Sequence, residues 1–396
     1  MTGTFRLFTA LTALAALTTA ATPAQAESLR DVVIIGNSAG GTASFLDGRT
    51  FTNLGSVNLI PDLQERLAAM NPIERAIYEI VKQQAGGDKF VDDAHLSPDG
   101  RTLYVSRGNL GDVIAYDLAG RRIAWRVKLD GHKADHATLS PDGSRFVVSA
   151  ITAQKSQVID TATGTVVNSF PTGTYPHENI YSANGERVYN ASIGTTSLPK
   201  ALNGLKGLKQ LTVADARTWQ VLRTYQFEYG IRPAVITPDE RTMYAQLSYL
   251  NGFVEYDLVA GRIVRTVEMP FSTGGQALTP DQYPQNSAHH GMAMSGDGSK
   301  LCMAGTIDDY TAIVSRSGLT TDGFQHYAPK SLPYWATTSV DGNHCFVTLS
   351  NTDEVSVVDY RTTREVARVP VGDYPQRERL GRLAEGVIGG LSRAAG

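Results

Sequence analysis

A four-residue phrase returns six times along this chain, each time at the same point of a larger pattern. It reads SPDG from Ser97 and again from Ser140, SANG from Ser182, TPDE from Thr237, SGDG from Ser295 and SVDG from Ser339. A short apolar stretch precedes each phrase, and a β-branched or aromatic run such as RTLYVS or RFVVSA follows it. A second run then ends in an Asp-containing turn, as in VIAYDLAGR, SQVIDTATG and FVEYDLVAG. Repeats of about 40 residues, each with three or four short strands, identify a β-propeller. Asp-Gly and Asn-Gly form tight turns because both residues tolerate positive φ, so each phrase joins an inner strand to the second strand of its blade.

The starting positions give units of about 43 residues, with two longer units that carry insertions. Three strand-like runs lie before the first phrase: DVVIIGNS, TASFLDG and FTNLGSVNL. They form a blade lacking its inner strand, and the segment after Gly372 is long enough to supply it. Closure through paired termini leaves no free sheet edge. The expected fold is therefore all-β, a seven-bladed β-propeller over residues 27–396 with short helical insertions on its top face. Six or eight blades fit less well.

The first 26 residues read as a signal peptide. Arg6 precedes an apolar run over Leu7–Ala21, and Ala24-Gln25-Ala26 is a small-x-small cleavage site. The expectation is an exported chain, cleaved after Ala26, with no membrane span. Export gives weight to the two cysteines. Cys302 and Cys345 fall in equivalent strands of neighbouring blades, offset by one residue relative to Gly298 and Gly342. Their side chains therefore leave opposite sheet faces, and either meet between blades as a disulfide or stay apart as small buried groups. With 36 basic and 39 acidic residues the chain shows no basic excess, so nucleic acid is not an expected partner.

All three large insertions map to the same face. Residues 61–89 contain a helix with Asn71 as N-cap, Pro72 first, Glu74 third, and a Gly86-Gly87 stop. Ile73, Ile77, Ile80 and Val81 mark its expected apolar side. Residues 195–210 separate a second from a third strand, and residues 270–288 join an outer strand to the next inner one. Insertions gathered on one face of a repeat fold usually decorate its binding face.

Where the inner strands begin, the chain reads Asp92-Asp93-Ala94-His95, Asp135-His136, His177-Glu178-Asn179, Arg232-Pro233, His289-His290-Gly291 and Tyr334-Trp335. Five of the eight histidines thus share one recurring position. Imidazoles and carboxylates converging on a concave opening suit a divalent transition metal such as Zn, Cu, Mn or Fe, or general acid–base work. The expected metal set is His136, His177 and His290, with His289 as substitute. Glu178 is the candidate ligand or base, His177 doubles as a catalytic group, and Arg232 and Tyr334 grip a polar or anionic substrate. Asp308 and Asp309 also reach this face. No HExxH, CxxC, GxSxG or Walker sequence is present to name the reaction.

The pattern SPDGRTLYVS…GDVIAYDLAGRRIAWRVKLDG resembles the YVTN-repeat, YncE-like family of secreted bacterial propellers, over roughly Asp31–Gly372. That resemblance implies seven blades and no particular activity, and no family residue carries over onto a matching motif. The sequence thus leads to an exported enzyme acting on a small polar organic substrate, a metal-dependent hydrolase or lyase ahead of an oxidoreductase. The alternative is a non-catalytic propeller whose top face binds a protein, glycan or small ligand.

Overall fold

The computed structural model describes residues 28–392, together with Met1 and Gly3; the rest of the segment read from the sequence as a signal peptide lies outside the described residues. Seven four-stranded antiparallel sheets follow one another around a ring. Blade 1 is the composite one: Leu29–Asn37, Thr42–Asp47 and Asn53–Asn58 are joined by Pro375–Ala384 as the innermost strand. The closing pair runs from Leu29 opposite Ala384 to Asn37 opposite Pro375, with a one-residue shift between Gly36 and Asn37. The inner strands of blades 2 to 7 are Asp93–Leu96, Ala134–Leu139, Pro176–Tyr181, Ile231–Ile236, Met292–Met294 and Pro333–Thr338.

The repeated phrase works as a hydrogen-bonded turn. In blade 2, Ser97 Oγ donates to Asp99 Oδ1 at 2.5 Å and accepts the Thr102 N–H at 2.9 Å. Blade 3 repeats this with Ser140, Asp142 and Arg145, and blade 7 with Ser339, Asp341 and His344. Gly143 takes a φ of 74°, and a Cβ there would lie 2.4 Å from Pro98 Cγ of the preceding blade's phrase. Glycine is thus required twice at that position, for the turn and for blade-to-blade packing. In every blade but the sixth, where Ser315 takes the place, the third strand ends in an Asp, and in blade 3 this residue caps its own turn: Asp160 Oδ1 accepts the N–H groups of Ala162 and Thr163. Asp47 does the same in the composite blade.

Burial follows position in the blade. Middle strands are buried along nearly their whole length, as in Arg145–Ala150, while outer strands such as Thr165–Pro171 are mostly exposed. Inter-blade faces are apolar: Val32, Ile34, Phe45, Leu103, Val105 and Ile114 share one cluster across blades 1 and 2. Cys302 and Cys345 form a disulfide between the second strands of blades 6 and 7, with Cα atoms 6.4 Å apart. Of the two arrangements open from sequence, the sulfurs meet.

The first insertion holds helices Leu63–Ala69 and Pro72–Gln84. The second carries the predicted capping box, in which Asn71 accepts the Ile73 and Glu74 N–H groups and Glu74 returns to the Asn71 N–H. Its apolar side meets expectation at Val81 and differs elsewhere. Ile73 and Ile80 are 74% and 54% exposed, whereas Tyr78 and Val81 are buried. Tyr78 packs with Phe90 and Leu110, and its larger ring turns that face inward.

Candidate functional site at the mouth of the propeller

The inner strands do not run in plain alternation where they open. In blade 3, Ala134 pairs with Ala150 but Ala137 pairs with Val148, so Asp135 and His136 together face a single partner residue. Blades 5 and 7 show the same two-against-one step at Arg232-Pro233 and Tyr334-Trp335. Blades 4 and 1 slip by one residue at His177 and Gln376. A bulge breaks the period of two and re-aims side chains. Neighbours such as Asp135 and His136 therefore approach one centre instead of opposite faces.

That centre gathers imidazoles from three blades. His136 Nε2 lies 3.1 Å from His177 Nε2, and Asp135 Oδ1 lies 3.5 Å from His136 Nε2. The His177 and His290 ring centroids are 5.3 Å apart, and His290 stacks on Tyr334 at 4.1 Å. Asp135, His136 and His177 can hold a metal ion, since one ligand atom from each lies within 4.8 Å of the others. Two ligands about 2.1 Å from a tetrahedral ion are about 3.4 Å apart, close to both measured separations.

Protons in this cluster are assigned from outside it. Arg377 Nε donates to His136 Nδ1. A guanidinium only donates, so Nδ1 accepts and the His136 proton sits on Nε2, directed at His177 Nε2. His177 then carries its proton on Nδ1, which has no partner among the described residues. Among the described residues, His290 has no side-chain hydrogen-bond partner. Burial, then the positive charge of Arg377 and neighbouring rings, holds His136 well below the ordinary imidazole range. His177 and His290 are lowered by burial first as well. All three are neutral near pH 7. Asp135 is pushed up to about 7, chiefly by burial.

A cavity of about 670 Å³, counting its opening to solvent, lies over this cluster. Its wall includes Asp135, His177, Arg232, His290, Tyr334 and Arg377. Each insertion contributes: Val81, Gln84 and Lys89 from the first, Thr196 from the second, Gln285 from the third. Gln285, at a φ of 49°, ties the roof together. Its side chain donates to the Gln84 carbonyl at 3.1 Å, and its own carbonyl accepts from Arg232 Nη2. A non-glycine residue held in the left-handed region beside a cavity is strain of the kind that concentrates at functional sites.

The remaining candidates lie elsewhere. His289 turns into blade 6, where Nε2 meets Tyr310 Oη at 3.1 Å, so it does not stand in for His290. Glu178 turns toward blade 5 and accepts the Ala234 N–H at 3.0 Å; the carboxylate beside the imidazoles is Asp135. His95 lies 3.4 Å from Asp93, which is bound through both oxygens by Arg379. Asp308 accepts from Ser272 and anchors the third insertion. Asp309 caps the N–H groups of Lys330 and Leu332.

Two important residues escaped the sequence reading, Arg377 and Lys89. Arg377 sits on the closing strand, outside the repeated phrases. One signal pointed to it: Tyr374-Pro375-Gln376-Arg377 echoes Tyr175-Pro176-His177-Glu178. Both tyrosines take positive φ at the same strand entry. Lys89 had no motif around it. It lies over the Tyr374 ring at 3.4 Å, and burial pushes its amine down to about 7.

No family model matches this chain, and no curated protein matches it. Among solved structures it is similar to one described as Kuenenia stuttgartiensis Hydrazine Synthase. The TM-score is 0.56 at 17% identity, covering 72% of this chain and 88% of that one. At that identity the likeness shows the propeller fold alone.

Proposed function

We propose that this chain is an exported enzyme acting on a small polar organic substrate at the propeller mouth. In this reading Asp135, His136 and His177 hold a divalent transition metal. The observation that carries it is the convergence of these donors from blades 3 and 4 under a roofed cavity. A bound ion would supply Lewis acidity or an activated water. Nε2 of His136 and of His177 would be the imidazole ligand atoms, and binding would release to solvent the proton held on His136 Nε2. His290, held below the ordinary imidazole range by burial and stacked on Tyr334, is positioned to take or return a proton. Tyr334, its phenol pushed up to about 12 mainly by burial, stays protonated and can donate a hydrogen bond. Hydrolysis or proton abstraction fits these groups, with oxidation behind them.

Export is supported by the basic–apolar–small-residue order of residues 1–26 and by the cross-blade disulfide, a bond suited to oxidising compartments. The repeated phrases support a place among the YVTN-repeat propellers.

Elemental analysis and metal titration of the purified protein test the metal centre. One equivalent per chain is expected, and His177→Ala should weaken uptake by at least about 100-fold, more than loss of an outer-shell partner costs. Absence of any metal uptake, with folded His136→Ala and His177→Ala proteins unaltered in ligand binding, would leave a non-catalytic binding propeller.

A further inference from the structure

The charges around the cavity do not balance. Its wall carries Lys89, Lys133, Arg232 and Arg377 against only Asp92 and Asp135. Both carboxylates face Lys133, at 2.9 and 3.7 Å. Among the described residues, no carboxylate lies within ion-pair distance of Arg232, Arg377 or Lys89. Yet Arg232 and Arg377 are only 1% and 3% exposed.

Neutral acceptors hold both guanidinium groups in place. Arg232 Nε donates to Ser248 Oγ at 3.1 Å and Nη2 to the Gln285 carbonyl. Arg377 donates from Nε to His136 and from Nη1 to the Gln376 carbonyl, with its carbon 4.1 Å over the Trp335 ring. Arg232 Nη1 and Arg377 Nη2 keep donors unused among the described residues. Burying a cation without a counter-charge is expensive unless a ligand supplies that charge. Burial pushes the Arg232 guanidinium down to about 10.

We infer that the mouth of this propeller receives a small organic dianion of the dicarboxylate class, one carboxylate on Arg232 and the other on Arg377. The inference rests on the proposed substrate site and names its ligand. The two arginines come from separate blades, 5 and 1, and both act electrostatically on His290 and Tyr334. A ligand with two separated charges uses both forks, and the intervening carbons lie against the His290–Tyr334 stack. A phosphate concentrates its charge on one centre. Guanidinium suits this work because its planar fork matches a carboxylate.

Calorimetric titration of the intact metal-free protein with succinate and malonate tests the assignment, with butyrate, succinamide and inorganic phosphate as comparisons. A dicarboxylate should bind at least about tenfold tighter than butyrate, with no detectable succinamide binding. Arg232→Met and Arg377→Met should each cost about tenfold or more, and Arg232→Lys should restore part of the loss. Because Arg377→Met also removes a donor to His136, Arg232→Met is the decisive variant. Equal binding of succinamide, phosphate binding tighter than any dicarboxylate, or an unchanged affinity in folded Arg232→Met would overturn the inference. Metal titration of the same samples separates the two claims. Dicarboxylate binding without metal uptake removes only the metal centre, and metal uptake without dicarboxylate binding removes only the dianion.

Discussion

Replacing Arg107 with methionine should lower the unfolding free energy by about 3–5 kcal/mol, the usual cost of breaking a buried ion pair from one side. Arg107 is fully buried, and all five of its N–H donors are used. Nε and Nη2 hold Asp112 at 2.7 and 2.8 Å. Nη1 and Nη2 hold Asp62 at 2.5 and 3.1 Å, and Nη1 also reaches the Leu59 carbonyl. One side chain thus joins blade 2, the end of blade 1 and the start of the insertion that roofs the cavity. Methionine fills much of the same space but leaves Asp112 buried with Arg66 alone.

Arg107→Lys should fall between the two, since an ammonium has three donors and no fork. Acid dependence gives a second readout. Burial alone would raise the Asp62 carboxyl, but Arg107, with help from Arg126, outweighs it and holds Asp62 below its ordinary value. That stability is present above the unfolded-state pKa near 4 and is lost as pH falls through the lower folded-state value. The variant should show a flatter loss between those limits. Urea unfolding at neutral and acid pH measures both effects, and a change under about 1 kcal/mol would show that the network does not anchor the insertion.

Removing the disulfide should cost about 2–4 kcal/mol, read as a lower unfolding midpoint in Cys302→Ser/Cys345→Ser or in reduced protein. The bridge closes a loop with a sequence separation of 43 residues and joins adjacent blades near the point of ring closure. A cross-link across that much chain restricts the unfolded ensemble strongly. The expected loss should appear with no change in ligand affinity at the mouth, because both cysteines sit in second strands and neither lines the cavity. Equal midpoints for oxidised and reduced protein would show that the sulfurs serve only as buried packing.

The fold was readable because its instructions are local. Ser97, Asp99 and Gly100 close their turn with bonds spanning no more than five residues, and the same phrase returns in five more blades. Asp160 caps a turn within three residues. The blade-1 deficit was legible too, since three strands without a fourth leave an open edge. Helix Pro72–Gln84 was readable in its limits, because its cap lies in the sequence. Its buried side was not, because Phe90 and Leu110 chose Tyr78 over Ile73.

The candidate site was legible in part. A recurring strand-entry position led to His136, His177, His290, Arg232 and Tyr334, which the structure brings to one mouth. The same rule also selected Glu178 and His289, which turn away. For Glu178 the difference is made by the one-residue bulge at His177, and no glycine or proline pattern shared by all five bulged strands marks such bulges.

By itself, the amino-acid order determined the turns, the strands, the blade count and the face that receives the insertions. Those properties follow from turn chemistry and alternation within a few tens of residues. Tertiary structure decided which carboxylate meets the imidazoles, that Arg377 reaches His136 across 241 residues of chain, and that Arg232 and Arg377 are buried with no carboxylate of the described residues in ion-pair distance. Ring closure and strand bulges set those distances, and both depend on contacts between segments far apart in the chain.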